Sequence, residues 1–404
     1  MKSRWEIKKL GEVLSIERGG SPRPIKKYLT NSSDGINWIK ISDATASEKY
    51  IYETKGKITR DGLHKTRVVN EGDFILSNSM SFGRPYIMKT TGCIHDGWLV
   101  LKQNGKKLFE TEFLYYLLSS PYVFQQFNYL AAGSTVRNLN IALVSSVQVP
   151  LPPIPEQKHI VKILDEAFAA IDKAKANAEK NLQNSRELFD SYLNKVFANP
   201  EEDWIECFLN DYVKFIDYRG RTPEKTTQGM RLITAKNIKN GYLQKEPEEF
   251  VNPNIYDSWM TRGIPNKGDI LFTTEAPLAN VAQLDTDEKV VFAQRTIIFQ
   301  PDPKFFNQSF LKYLLLSKPI KTRIIEKGTG ATVKGIKAKL LKQIPIYFPQ
   351  SLAKQERIVD KLNNLSDEIK KLETIYQQKL ADLDELKKSI LQKAFDGELT
   401  RNNG

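Results

Sequence analysis

The sequence predicts an α/β (α+β) fold made of two pseudo-symmetric copies of one domain. Each copy is followed by a long α-helix, and the two helices are expected to pair as an antiparallel coiled coil. Three observations support this prediction: an apolar repeat of coiled-coil spacing near the C-terminus, an earlier copy of that repeat, and matching short motifs in the segments before each. The predicted boundaries are 1–153 and 200–350 for the α/β domains, 154–199 and 351–397 for the helices, and 398–404 for a C-terminal tail.

The C-terminal helix is predicted from an apolar seam in residues 355–395. Its members alternate by four and three positions, as the core residues of a coiled coil do. They are Ile358, Leu362, Leu365, Ile369, Leu372, Tyr376, Leu383, Leu386 and Ile390. Lys379 interrupts the seam, and Gly397 follows where a helix often ends on a residue of positive φ. A helix of about 40 residues is about 60 Å long, which suits a spacer or a zipper better than one globular core.

The same helix is predicted earlier in the chain, from about Glu156 to Ala198. A shift of 198 positions aligns four apolar residues with the C-terminal seam: Ile160, Leu164, Ile171 and Leu188. This first copy is narrower, because alanines stand at several seam positions where the second copy has large side chains. Small residues facing large ones favour close packing of the two helices. A pseudo-two-fold relation between the halves would make the pair antiparallel.

The first domain is predicted to mix short strands with one helix. Strands are expected at Trp38–Ile41, Phe74–Leu76, Trp98–Leu101 and Val147–Val149, and helical spacing runs from Thr111 to Phe127. Pro150, Pro152, Pro153 and Pro155 are expected to stop regular structure and mark the domain boundary.

The second domain repeats the first at offsets between 196 and 201 positions. Trp204 matches Trp5, the segment 219–223 matches 18–22, and 268–271 matches 72–75. The helical segment 310–315 matches 113–118, and the loop 330–334 matches 133–137. Because the offset stays nearly constant, the pattern indicates a duplicated chain.

Charge and composition favour an anionic partner. The formal net charge is +12, in a chain with 40% hydrophobic residues. This charge favours nucleic acid, although basic proteins with other partners are common. No apolar run reaches the length of a membrane-spanning helix and no signal-like segment opens the chain, so no membrane partner and a cytoplasmic location are expected.

The motifs of common enzymes are missing from the sequence. Cys93 and Cys207 suit neither a disulfide framework nor a Cys-based zinc site. The three histidines are widely spaced, the glycines near Thr329 lack the Lys-Ser or Lys-Thr pair of a phosphate loop, and Asn252–Tyr256 is interpreted as a turn. No catalytic residue and no metal site are therefore predicted, and an enzyme with an unfamiliar site stays an alternative.

The two domain copies agree at scaffold residues and differ in polar loops. Residues 77–84 stand against 273–280, and residues 95–98 stand near 293–296, with different hydrogen-bonding side chains in each pair. Two domains that recognise different base sequences need different hydrogen-bonding side chains on the same scaffold, and this pattern agrees with that requirement. Ordinary drift of exposed loops explains the same differences.

A family resemblance lies in the segments that close each domain. The stretch Gly133–Asn140, followed by Val149–Val161 with its Pro-Leu-Pro-Pro-Ile-Pro-Glu-Gln core, resembles the end of a target recognition domain and the conserved-region helix of type I restriction-modification specificity (S) subunits. Gly330–Val359 is a weaker second copy that lacks the double proline. Glu275–Leu278 and Asp396–Leu399 also resemble family patterns, whereas Ser79–Gly83 departs from the usual Ala-Pro form.

The resemblance implies a non-catalytic subunit that reads a split site on double-stranded DNA. Each target recognition domain would read one half-site, and the helices would set the gap and dock two methyltransferase (M) subunits. Restriction/translocase (R) subunits would complete the complex. No cofactor is expected in this chain, and S-adenosylmethionine is expected on the methyltransferase subunits. A coiled-coil adaptor with duplicated protein-binding domains is the alternative.

Two sets of side chains are the predicted DNA contacts. Basic residues expected to meet phosphates are Arg18, Arg23, Lys65, Arg67, Arg137, Arg219, Arg221, Lys225, Lys236 and Lys334. Residues expected to meet base edges are Asn78, Arg84, Thr274, Glu275, Asn280 and Arg295.

Overall fold

The computed structural model describes residues 5–400 except 79–81, 104, 106, 132–137, 221 and 331. The chain divides into a first unit, Met1–Ala178 with Gln378–Gly404, and a second unit, Glu179–Gln377. Both unit boundaries fall inside long helices, so each unit contains part of both helices.

The first unit contains three β-sheets. Its strands are β1 (Glu6–Lys9), β2 (Ser15–Arg18), β3 (Leu29–Thr30), β4 (Ile36–Ile39), β5 (Tyr50–Ile51), β6 (Gly56–Ile58), β7 (Arg67–Val69), β8 (Phe74–Ser77), β9 (Pro85–Met88), β10 (Gly92–Ile94), β11 (Trp98–Lys102) and β12 (Gln148–Leu151). β1 and β12 form an antiparallel pair, and two five-stranded sheets have the orders β2-β11-β8-β9-β5 and β3-β6-β4-β10-β7.

The sheet that contains β8 and β11 is buried on both faces. Phe74, Leu76 and Leu99 face a core shared with the helices, whereas Ile75 and Val100 face the second five-stranded sheet. Successive side chains of a strand point to opposite faces. The sequences of these strands are therefore continuously apolar and do not alternate between apolar and polar residues.

The helices that begin in the first unit are α1 (Leu10–Val13), α2 (Ile41–Thr45), α3 (Thr111–Ser119), α4 (Pro121–Ala131), α5 (Ile141–Ser146) and α6 (Ile154–Ala198), with 3-10 turns at Ile25–Lys27 and Arg60–Lys65. The single helix predicted at 111–127 is two helices, because Ser120 is extended and Pro121 starts a new one. Proline suits the first turn of a helix, because the N–H groups of that turn have no acceptor within the helix.

The prolines near residue 150 do not stop regular structure, as had been expected. Pro150 lies in β12, which is paired on one side, and Pro155 is the second residue of α6. Both positions tolerate a residue that has no N–H. The predicted strand Trp38–Ile41 is also shifted: β4 ends at Ile39, and Ile41 begins α2.

The second unit repeats this architecture. Its strands are β13 (Trp204–Phe208), β14 (Val213–Asp217), β15 (Lys225–Thr226), β16 (Met230–Ile233), β17 (Phe250–Val251), β18 (Ile270–Thr273), β19 (Val281–Gln283), β20 (Val291–Phe292), β21 (Thr296–Pro301) and β22 (Pro345–Pro349). β13 pairs with β22, and the larger sheets have the orders β14-β21-β18-β19 and β15-β17-β16-β20. Ile270 and Phe272 of β18 face the helices, while Leu271 faces the other sheet, as in the first unit.

The helices of the second unit follow the same order. They are α7 (Leu209–Tyr212), α8 (Tyr256–Trp259), α9 (Gln308–Leu316), α10 (Lys318–Glu326), α11 (Ala338–Lys342) and α12 (Leu352–Phe395), with a 3-10 turn at Pro253–Ile255.

The long helices α6 and α12 are antiparallel. Asp172 of α6 contacts Lys387 at 3.3 Å and Lys175 contacts Asp384 at 2.6 Å, both within the first unit. Within the second unit, Arg186 contacts Glu373 at 2.6 Å. As the position advances along α6, its partner retreats along α12 by the same number of residues. One antiparallel register therefore explains all three ion pairs.

Burial along the helix pair follows most of the predicted seam. Ile160, Leu164 and Ile171 belong to the core of the first unit, and Leu383 and Ile390 pack against that core. Leu362 belongs to the core of the second unit, and Ile358 packs against it. Ile369 is also buried, and Leu365 and Tyr376 are half-buried.

Three predicted seam residues lie outside the buried face. Leu188, Leu372 and Leu386 are 56%, 39% and 46% exposed. Ser185 and the half-buried Phe189 take the inward positions near Leu188. A strict seven-residue repeat drifts around a helix of 3.6 residues per turn, so residues at the margin of the seam turn outward.

Candidate nucleic-acid interface

Strand direction brings three loops of the first unit together. β2 and β8 are both antiparallel to β11, so their C-terminal ends lie beside the start of β11. Gly19 N donates to Trp98 O at 3.0 Å, and Asn78 N donates to Gly97 O at 3.1 Å. Residues 19–24, 78–84 and 95–97, where described, are the edge loops of this unit.

The second unit forms the same edge from residues 218–224, 274–280 and 293–295, where described. Thr274 N donates to Arg295 O at 2.9 Å, the counterpart of the bond from Asn78 to Gly97. Ala279 N donates to Thr273 O at 2.9 Å, as Gly83 N does to Ser77 O at 2.8 Å. The loop pairs that the sequence matched are therefore structural equivalents.

Asp96 organises the polar groups of the first edge. Its carboxylate accepts hydrogen bonds from the Ser21 hydroxyl at 2.8 Å and from Arg23 at 3.4 Å, and its carbonyl accepts one from Arg18 Nε at 3.0 Å. The Ser21 hydroxyl is the main cause that holds the pKa of Asp96 below its ordinary value. Arg23 keeps 82% of its side chain exposed and faces outward.

His95, beside Asp96, is held in its neutral form. The Gly97 N–H donates to His95 Nδ1 at 2.9 Å, which requires that nitrogen to carry no proton. Burial lowers the pKa of His95, against the smaller opposing effect of Asp96. The rings of Trp38 and Trp98 lie 6.0 and 6.1 Å from the imidazole.

Two predicted base readers, Asn78 and Asn280, make hydrogen bonds within the loops. Asn78 is 1% exposed, and its amide donates to Asp96 O at 2.8 Å. Asn280 is half-buried, and its amide donates to Ile238 O at 2.9 Å. These bonds stabilise the loops, and base contacts by either residue stay predictions.

Arg219, a predicted phosphate contact, is bound within the second edge. It donates to both carboxylate oxygens of Asp217, at 2.8 and 2.6 Å. Burial alone would raise the pKa of Asp217, but the hydrogen bonds from Arg219 outweigh it and hold the pKa below its ordinary value. Arg262 ties the same loop by donating to Asp217 O at 2.6 Å and to Arg219 O at 3.0 Å.

Lys225 and Lys236 share one carboxylate. Glu249 accepts from Lys225 at 2.8 Å and lies 3.4 Å from Lys236. Burial would raise the pKa of Glu249, but the two lysines outweigh it and hold the pKa below its ordinary value. Lys225, Lys236 and Glu249 together therefore carry one net positive charge.

Glu275 and Arg295 form an ion pair at the second edge. Their side chains meet at 3.0 Å, and each is 45% exposed. They line a cleft of about 400 Å³, with Arg219, Gln294 and Lys337. Thr274, also predicted to read bases, is 3% exposed, and its hydroxyl lies 3.3 Å from Arg295 O.

The other predicted contacts are dispersed. Arg67 pairs with Glu17 at 2.9 Å, and Lys65 lies over the Tyr28 ring. Lys334 is exposed, and Arg84 is exposed above the Tyr86 ring at 5.4 Å. Arg137 and Arg221 lie outside the described residues, so their phosphate contacts stay predictions.

Sequence reasoning did not single out Ser21, Asp96, Asp217 or Arg262 as site residues. Asp96 and Asp217 are acidic, and a search for DNA contacts selects basic and amide side chains. The signal that was available is position: Asp96 lies in the segment 95–98, which was compared between the copies, and Asp217 ends β14 just before the matched segment 219–223.

Metal and membrane features are absent from the described part of the chain. It contains no cluster of three or more His, Cys, Asp or Glu side chains arranged to hold a metal ion. Within the same residues, no helix has both the length and the apolar character needed to cross a bilayer.

Comparison with known proteins decides the family. The model of the type I restriction modification DNA specificity domain matches the chain twice, over residues 2–181 and 201–379. The chain belongs to this family. Its role is therefore DNA sequence specificity within a type I restriction-modification system.

Individual relatives agree with the family assignment. The type I restriction enzyme MjaVIII specificity subunit of Methanocaldococcus jannaschii is 23% identical, over 99% of this chain and 94% of its own length. The EcoBI specificity subunit of Escherichia coli is 26% identical, over 72% of this chain and 66% of its own length. The relatives are named as specificity subunits.

Solved structures show the same fold. A chain from a study of complex assembly and conformational transition of the type I R-M system matches with a TM-score of 0.77 at 20% identity, covering 98% of this chain and 99% of that one. The HsdS subunit of Thermoanaerobacter tengcongensis matches with a TM-score of 0.62 at 19% identity, covering 98% and 97%. The specificity subunit fold thus extends over nearly the whole chain.

Proposed function

We propose that this specificity subunit reads a bipartite site on double-stranded DNA, with each unit reading one half-site. The observation that carries the proposal is the repeated edge: equivalent loops on one scaffold present different side chains in the two units. The first edge exposes Arg23 and Arg84, and the second exposes Glu275 and Arg295. Different donors and acceptors in matching places suit different base sequences.

Basic side chains beside the edges supply the sequence-independent part of binding. The exposed candidates among the described residues that have no buried carboxylate partner are Arg18, Arg23, Lys65, Arg67 and Lys334. Contacts of this kind set register on the phosphates and carry no sequence information. If six to ten phosphates are engaged, affinity falls by roughly 10³- to 10⁵-fold between 50 and 200 mM salt, which a titration of the purified complex measures.

The antiparallel helices set the length of the unread gap in the site. Each is continuous, over Ile154–Ala198 and Leu352–Phe395, and the ion pairs hold them in one register. A continuous helix pair is stiff enough to act as a spacer.

The exposed side of the helix pair docks methyltransferase subunits. Within the second unit, Leu188, Leu372 and Ile375 are 56%, 39% and 58% exposed. Exposed apolar side chains grouped on a helical surface indicate a protein contact. Two methyltransferase subunits would bind here and on the corresponding part of the first unit.

Chemistry is supplied by the partners. The methyltransferase subunits bind S-adenosylmethionine and methylate adenine, and restriction/translocase subunits add cleavage. This chain is non-catalytic and carries no cofactor.

Mapping methylated adenines in cells with and without this chain tests the proposal. A split motif that appears only when the chain is present is the expected result. Methylation that is unchanged when the chain is removed contradicts it. A single uninterrupted motif contradicts it as well.

A further inference from the structure

We propose that Glu275 and Arg295 together read one G·C base pair in the half-site bound by the second unit. Arg295 donates to O6 and N7 of guanine, and Glu275 accepts from N4 of cytosine. The inference rests on the proposed function, because it requires the second edge to face DNA.

Glu275 and Arg295 are accessible at the second edge and are joined as an ion pair. They meet at 3.0 Å, and each is 45% exposed at the cleft of about 400 Å³. The other predicted readers of this unit, Thr274 and Asn280, bond to main-chain carbonyls. Gln294 is also exposed at this cleft, but Glu275 and Arg295 are the two predicted readers whose charged groups reach it together.

The main chain on both sides of the pair is fixed. Thr274 N donates to Arg295 O at 2.9 Å, and Ile336 N donates to Thr274 O at 3.0 Å. Glu275 also forms an antiparallel bridge with Gly335. Reading groups held on a rigid backbone lose little freedom on binding, so they discriminate sharply between bases.

Arg295 has a strained backbone conformation. Its φ is 73°, in the left-handed region that non-glycine residues seldom occupy. Glycine would adopt this backbone without strain. Strained backbone positions of this kind cluster at binding sites, which agrees with a binding role for the Arg295 side chain.

The chemistry of the pair matches the major-groove edge of G·C. The guanidinium fork suits the adjacent O6 and N7 acceptors of guanine, and a carboxylate accepts from the N4 amino group of cytosine. Arg295 Nε lies 3.0 Å from Glu275 Oε1, which leaves the two terminal nitrogens of the guanidinium to face guanine. In an A·T pair the adenine N6 amino group separates the two acceptors, adenine N7 and thymine O4, so the fork does not meet two adjacent acceptors there.

A carboxylate at this place also argues against phosphate contact. Glu275 would be repelled by the DNA backbone, so a base amino group is its favourable partner at a DNA-facing edge.

The test uses the assembled complex with its methyltransferase subunits. Glu275→Gln and Arg295→Gly are compared with the wild-type complex by methylation mapping, and by binding to duplexes that carry each of the four base pairs at every position of the motif. Discrimination for G·C should fall by roughly 5- to 150-fold at one position of one half-site. The other half-site should be unchanged.

Two controls separate recognition from folding. Lys267→Gln breaks an exposed ion pair with Asp287 in the same unit, 3.0 Å long, and should leave the motif intact. Arg295→Gly should unfold at nearly the wild-type temperature, because glycine accepts the φ of 73°.

Each outcome is decisive. If the wild-type complex has no bipartite motif, the proposed function fails and this inference fails with it. If the motif exists but both variants keep it, lose affinity equally for all sequences, or relax at an A·T position, the reading of G·C is wrong while the proposed function stands.

Discussion

Two glutamines, Gln157 and Gln355, join the sheets to the long helices by the same three hydrogen bonds. Gln355 is fully buried; its oxygen accepts from Asn307 N at 2.8 Å, and its amide donates to Phe305 O at 2.7 Å and Pro349 O at 2.9 Å. Gln157 makes the equivalent bonds to Glu110, Leu108 and Pro152. The glutamine of the family motif therefore has a structural explanation, which only long-range partners reveal.

Gln355→Leu should destabilise the second unit strongly. The substitution keeps the approximate shape but leaves two buried carbonyls and one N–H without their partner, at a cost of about 1–3 kcal/mol for each unsatisfied group. Chemical denaturation measures the free energy of unfolding. The exposed Gln377→Leu on the same helix is the control and should change it by less than about 0.5 kcal/mol. Equal effects of the two variants would show that the hydrogen bonds of Gln355 are not stabilising.

His95 should make stability depend on pH. Its pKa is lowered by folding from 6.5, so the unfolded chain binds the proton more readily. The stabilisation is fully present above about pH 6.5 and is lost as pH falls through the lower folded-state pKa.

Thermal unfolding between pH 7.5 and 5.5 measures this effect. His95→Gln should lose stability less steeply on acidification than wild type, since the variant has no group to protonate there. His159→Gln, at an exposed position of α6, is the matched control. Parallel profiles for wild type and His95→Gln would contradict the assignment.

The helices α6 and α12 could be located from the sequence, but the orientation of each side chain could not. Apolar spacing is a local property, and it predicted both helices and most of their buried face. Leu188, Leu372 and Leu386 nevertheless face outward. Whether a marginal seam residue is covered depends on the neighbouring helix, which spacing does not specify.

Truncation of Leu362 should cost much more stability than truncation of Leu372. Leu362 is fully buried, so Leu362→Ala should cost about 2–5 kcal/mol of stability. Leu372 is 39% exposed, and Leu372→Ala should cost less than about 1 kcal/mol. Denaturant titration distinguishes the two.

Leu372→Asp should instead weaken binding of a methyltransferase subunit. A charge placed on the proposed docking face has to be desolvated when the partner binds. The mass of the co-purified complex reports the loss. A complex of normal mass would exclude Leu372 from the docking face.

The whole chain is a duplication whose two edges were matched correctly from the sequence. The loop equivalences hold, and the family is that of the resemblance. Much of the site was less accessible to prediction. Asn78 and Asn280 were chosen by chemical type, yet they bond to the main chain, whereas Asp96 and Arg262 organise the loops from distant positions.

Shortening both helices together should shorten the gap in the DNA site. Residues 172–178 and 381–387 face each other in the observed register, so deleting both heptads preserves the pairing. Seven residues rise about 10 Å, or roughly three base pairs of DNA. Methylation mapping should show unchanged half-sites with a shorter gap.

Deletion of residues 172–178 alone is the control for this experiment. It removes Asp172 and Lys175 and shifts Arg186 out of register with Glu373, so it should impair assembly rather than produce a new gap. Changed half-sites with an unchanged gap after the double deletion would refute the spacer role.

Periodicity and repetition in the sequence were enough to predict two α/β units and two long helices, and the motifs that close each domain carried the resemblance to the family. These features are local or recur at a constant offset, so no distant contact is needed to recognise them. Which side chains can reach a ligand was decided only by the tertiary structure of the sheets. Thr274, Arg295 and Ile336 meet only because strand direction brings their loops to one edge, and a hydrogen bond made there decides whether a polar group is engaged or free.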